Sequence, residues 1–225
     1  MTDFDGFPQA GLDFLTELGG QNKAWLDENR ATYETSIVAP AKAFVVALGE
    51  VLRSEISPAI EAQPKTNGSI APINNDLRFS PDAPPYKDHL MFRFWEGPVK
   101  KTSAMLMVRV HPTDGVGFAS GMNFDSVDRW RVKVADDGGG SELGARLASV
   151  VDETGADVLG QALKKVPKPY DQDHPRGELL RHKGLQVRFI DKTPKLITKP
   201  GFIDWCGERL DRVADIHTWL VEHML

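Results

Sequence analysis

The chain has 225 residues, 41% of them hydrophobic and 26% charged, with a net charge of −5. That is the profile of one globular domain of ordinary composition, and the acidic total argues against a duplex nucleic acid partner. No apolar run of the roughly 20 residues needed for a membrane span stands out, so no membrane partner is expected. The acidic start "MTDFDGFPQAG" lacks the basic and apolar regions of a signal peptide, and the lone Cys206 suits a reducing compartment, so the expected location is cytoplasmic.

A helical layer is predicted over about 7–57. Pro8 suits a first helical turn, and Leu12, Leu15 and Leu18 recur at helical spacing until Gly19 and Gly20. Asn22 is a cap for a second helix with Trp25, Leu26 and Tyr33 on its apolar side. Pro40 starts or kinks a third, which carries Phe44, Leu48, Val51 and Leu52 and ends before Pro58. Residues 63–69, rich in Pro, Asn, Gly and Ser, break the pattern.

The centre reads as sheet. "HLMFRFWEG" from His89, "SAMLMVRV" from Ser103 and "GVGFASGMNF" from Gly115 are predicted strands, the last two joined by "HPTDG" as a hairpin near the middle of the sheet. Asp125 is the expected cap of the next helix, with Asp128 in its first turn. "ADDGGGSE" reads as a surface turn before helical "ELGARLASVVDE", and "LQVRFI" from Leu185 as a short strand. One last helix, about 202–223, carries Phe202, Trp205, Cys206, Val213, Ile216 and Leu220 on one stripe. These elements predict a single α+β domain over 1–225, a mostly antiparallel sheet with helices packed on it.

Familiar catalytic patterns are absent. Gly115, Gly117 and Gly121 have the wrong spacing for a dinucleotide loop, and Gly138 to Gly140 precede Ser141 and no lysine. There is no G-x-S-x-G elbow and no His pair at metal-binding spacing, so no cofactor and no metal are expected. Cys206, on an apolar stripe, reads as a buried structural thiol.

Two polar loops stiffened by proline remain. In "NDLRFSPDAPPYKDH" (75–89), Pro81, Pro84 and Pro85 restrict the backbone, and Ser80 and Asp82 favour turn hydrogen bonds. From this frame Arg78 offers a planar fork suited to carboxylate or phosphate, Lys87 a point charge, and Tyr86 a flat wall. The plainer alternative is that Arg78 and Lys87 pair with Asp76, Asp82 or Asp88 and staple the loop. In "KKVPKPYDQDHPRGELLRHKG" (164–184), Pro167, Pro169 and Pro175 hold Lys168, Tyr170, Asp171, Asp173, His174 and Arg176. His174-Pro175 is expected to start a short helix with Arg181, His182 and Lys183 on its last turn. Residues 165–199 carry 9 basic and 4 acidic groups, against 5 and 10 over 1–75, a pole able to steer an anion.

These blocks resemble a known family. "RFSPDAPPYK" (78–87) is similar to the Arg-Phe-Ser…Pro-Tyr-Lys pattern of the bacterial domain of unknown function 2461. "VPKPYDQDHPRGELLRHK" (166–183) resembles that family's second block, and "FLTELGGQNKAWLDENRATYE" (14–34) its usual opening. Asn75, Ala83 and Pro84 stand where the pattern has Arg, Lys and Thr, and Pro169 replaces a Gly. The resemblance carries no activity with it. The expectation is therefore a small anionic ligand, phosphorylated or carboxylated, held between the two loops by Arg78, Ser80, Tyr86, Lys87, Lys168, Tyr170, His174 and Arg181. Two alternatives stand beside it: an enzyme on such a ligand with His174 or His89 as proton carrier, and a docking module without catalysis. Nothing in the sequence marks an oligomeric state.

Overall fold

A computed structural model describes residues 3–78 and 82–225. Helix α1 spans Gln9–Leu18, α2 Lys23–Glu28, α3 Arg30–Tyr33 and α4 Ala39–Glu55. The cap of α2 is the expected one, since the Asn22 side chain accepts from the Trp25 amide. A π-helical turn, Glu34–Val38, joins α3 to α4, and Pro40 sits in the first turn of α4, as expected. A proline lacks a donor, and a change of hydrogen-bond register just before it accommodates that loss. Continuous helix from Arg30 to Glu55 is long and apolar enough to pass for a membrane span by length and composition, which the sequence expectation overlooked. Its buried residues Ile37, Ala41, Phe44, Val45, Leu48 and Leu52 are those of a core helix.

Among the described residues five strands form one antiparallel sheet in the order β1-β2-β3-β5-β4. They are β1 Leu90–Glu96, β2 Ala104–Val110, β3 Val116–Asn123, β4 Asp157–Leu159 and β5 Gly184–Asp191. The three expected central strands and the "LQVRFI" strand are all present, and the β2–β3 neighbours place β3 in the middle. Short β4, paired in antiparallel register with Gln186 to Arg188, had no sequence signal because it is only three residues long. The fold is α+β, as expected.

Helices α5 (Val127–Ala135), α6 (Gly139–Thr154), α7 (Gly177–Leu180), α8 (Phe202–Asp211) and α9 (Ala214–Met224) complete it. Three expectations shift here. Ser126, not Asp125, caps α5, its hydroxyl accepting from the Arg129 amide. The Gly138–Gly140 turn is largely helix: the Asp136 carboxylate accepts from the Gly138 and Gly139 amides and starts α6. The last helix is interrupted, because Val213 leaves helical geometry (φ −110°, ψ 6°) between α8 and α9.

Contacts group the chain into two compact units, 1–94 with 107–117 and 190–208, and 95–106 with 118–189 and 209–225. The first has an aromatic core in which Phe44 lies 4.6 Å from Phe92, 5.4 Å from Phe7 and 5.9 Å from Phe202. The second is built on Trp130, stacked on Phe124 at 4.3 Å and edge-on to Trp219 at 5.8 Å. Both indole N–H groups are satisfied, Trp130 by the Leu179 carbonyl and Trp219 by that of Gly139.

Candidate functional site

The first polar loop, in the first unit, is tied down by its own neighbours. Asn75 donates through its side-chain amide to the Pro84 and Tyr86 carbonyls, and the Lys87 amide donates to the Ile73 carbonyl. Asn75 is thus itself a staple. Tyr86 is 5% exposed and belongs to the core, so its ring offers no open wall. The Lys87 ammonium donates to the carbonyls of Pro72, at 2.7 Å, and Asn74. Burial and the Arg93 charge push its pKa down. Arg78 forms a two-pronged bond with Asp76, at 2.9 and 2.7 Å. That bond holds the Asp76 carboxyl below its ordinary range. Ser80 lies outside the described residues. Stapling therefore accounts for Asn75, Arg78 and Lys87.

Next to it lies a cluster that periodicity does not show. The Asp88 carboxylate is reached by His89 Nδ1 at 2.8 Å and by His111 Nε2 at 3.4 Å. His111 Nδ1 accepts from the Thr113 and Asp114 amides, so the proton of this imidazole sits on Nε2. Burial pushes the His89 pKa down against the pull of Asp88. Burial acts to raise Asp88, but hydrogen bonds from both imidazoles hold it below the ordinary carboxylate range. Among the described residues no group of three or more His, Cys, Asp or Glu is arranged to hold a metal ion.

The second polar loop, in the second unit, borders an open pocket of about 350 Å³. Four residues set its character: Lys164, Lys165, His174 and Arg181. His174 Nδ1 accepts from the Arg176 amide at 3.0 Å, which leaves the ring proton on Nε2. Arg181 is held by Nε to the Leu163 carbonyl at 2.5 Å and by one terminal nitrogen to Glu178 at 2.8 Å. Pro175, Gly177 and Val166 supply the less polar wall.

Of the expected second-loop set, His174 and Arg181 line this pocket. Lys168 is exposed outside its wall, and the Tyr170 ring sits edge-on to His174 at 6.5 Å. Asp173 makes no bond to His174 among the described contacts; instead the His174 amide donates to the Asp171 carbonyl. Lys164 and Lys165 were not among the expected residues. Their signal was two adjacent cations at the edge of a proline-stiffened block. His182 departs from expectation: it is buried, burial lowers its pKa, and Nδ1 has no hydrogen-bond partner, so it is not a cation on a helix end. Arg176 is structural, bonding to the carbonyls that end α5.

No curated protein and no solved structure matches the chain. A family match covers residues 10–219, which includes the three blocks singled out in the sequence. The chain belongs to the conserved hypothetical protein family DUF2461.

Proposed function

We propose that the protein binds a small anionic ligand, phosphorylated or carboxylated, in the pocket bordered by residues 164–181. The observation that carries the reading is the pairing of open volume with cationic donors. Lys164 and Lys165 face a cavity of about 350 Å³ and make no ion pair among the described residues. A pocket of this size sits at the small end of ligand sites, roughly 300–1,000 Å³. The Arg181 guanidinium is pre-positioned by two bonds, so little side-chain entropy remains to be lost on binding. In the first loop Arg78 and Lys87 already have partners, so this reading assigns them the frame and not the ligand.

The docking alternative gains little from the surface. Among the described residues the large exposed apolar ones are Leu77, Val99, Val132, Leu159, Ile190 and Leu225, no two of them adjacent in the chain, and single residues of this kind require no partner.

A thermal-shift screen of phosphorylated and carboxylated small molecules tests the proposal. A ligand at 100 times its dissociation constant adds about 2.7 kcal/mol to stability. The expected result is a rise in Tm with at least one anion, lost in Lys164→Ala/Lys165→Ala. Silence across every anion class overturns the proposal.

A further inference from the structure

We infer that the anion is the phosphate monoester of a small, polar molecule, an inference that rests on the anion-binding reading above. Charge comes first. Lys164, Lys165 and Arg181 supply three cations, and Glu178 offsets that of Arg181 through their 2.8 Å bond. The two lysine charges are left open. A phosphate monoester carries about −1.5 to −2 at pH 7 and matches them, whereas a single carboxylate leaves one unanswered.

Donor geometry points the same way. An arginine recognises a carboxylate best when two adjacent N–H groups lie side by side toward it. The only hydrogen on Arg181 Nε is spent on the Leu163 carbonyl, which closes the side-on fork. What the pocket offers instead is single donors from separate residues: the second terminal nitrogen of Arg181, two ammonium groups, and His174 Nε2–H. Three phosphate oxygens accept such scattered donors; the two coplanar oxygens of a carboxylate do not use them as well.

The body of the ligand follows from the remaining wall. Gln172 has its Nε2 donating to the Val166 carbonyl, so the side chain is fixed and its oxygen is an acceptor for a hydroxyl. Phe, Tyr and Trp are absent from the lining residues. The one aromatic ring among them, the His174 imidazole, serves as an N–H donor with the Tyr170 ring edge-on to it, so nothing there favours a stacked base. A phosphorylated polyol or hydroxy acid fits.

The test titrates the full chain with glycerol phosphate, inorganic phosphate, succinate and acetate at constant ionic strength, following backbone amide resonances. Glycerol phosphate is expected to saturate, to move resonances within 164–181, and to bind at least ten-fold tighter than succinate or acetate. Lys164→Ala/Lys165→Ala is expected to weaken it at least ten-fold; both side chains are exposed, so the fold survives. Succinate or acetate binding as well as the ester overturns the phosphate class and leaves anion binding standing. Failure of all four ligands, with phosphatidic acid vesicles unbound as well, overturns anion binding itself. Inorganic phosphate binding with the ester excluded overturns the monoester. Glycerol phosphate binding that the double variant leaves intact overturns the site. Co-sedimentation with phosphatidic acid vesicles, without any response to glycerol phosphate, overturns the small-molecule assignment in favour of a lipid headgroup.

Discussion

Arg176 shows how one side chain can end an element. Its Nε donates to the Val134 carbonyl at 2.6 Å, one terminal nitrogen to Ala135 and Asp136, and the other to the Ser141 hydroxyl. The last carbonyls of a helix have no partner within it, so a 13%-exposed guanidinium that closes several of them at once stabilises α5 strongly. Arg176→Ala is expected to cost roughly 2–4 kcal/mol in urea denaturation. Arg176→Lys should recover only part of it, because an ammonium cannot span the same acceptors. Cys206 offers a second check at this scale. It is fully buried in α8. Its thiol is expected to react with a thiol reagent only at the rate of unfolding; prompt labelling of the native protein would contradict the packing of α8.

At the scale of the element, α6 carries two glycines with opposite roles. Gly155 ends it in the left-handed region (φ +68°), a conformation that strains any side chain, although space around it is open. Gly144 lies inside the helix, and a methyl group added there would meet nothing within 4 Å. Gly155→Ala is therefore expected to lower stability by about 1 kcal/mol. Gly144→Ala should raise it by about 0.5–1 kcal/mol through lower unfolded-state entropy. Paired denaturation curves check both signs, and equal signs would mean that α6 does not end at Gly155.

For the whole molecule the relevant groups are three histidines, His182 and His217 buried and His89 partly so. Burial lowers the pKa of His89, His182 and His217, the last in spite of the Glu96 carboxylate 3.4 Å away. A base depressed in the fold stays neutral there while the unfolded chain takes up a proton near the ordinary value of about 6.5. The unfolded state then binds more protons, so stability is complete above that value and falls as pH drops below it. The urea midpoint is expected to decline between pH 7.5 and 5.5. His217→Asn should flatten that decline, whatever it does to the midpoint at pH 7.5. A midpoint that rises on acidification would contradict neutral burial. Asp88 acts at lower pH: its depressed carboxyl contributes stability that is present above the unfolded value and is lost below it.

Local pattern carried much of this fold. Leucines at helical spacing marked α1, Asn22 marked the start of α2, and apolar alternation with a short turn marked β2 and β3, because each signal lies within a few residues of what it specifies. Where two local signals competed, contacts decided: Ser126 over Asp125 as a cap, helix over turn at Gly139, a break at Val213. The polar loops show the same division more sharply. Their residue types and their family pattern were legible, and the partners were not, since Lys87 meets the carbonyls of Pro72 and Asn74 and Arg181 meets Leu163 across 18 residues. Sequence alone marked Arg78, Lys87 and Arg181 as side chains able to hold an anion, and left Lys164 and Lys165 out. Only tertiary structure decided that those of the first loop are already engaged while Lys164 and Lys165 border open volume, because hydrogen bonds between distant segments are made by folding and leave no trace in spacing.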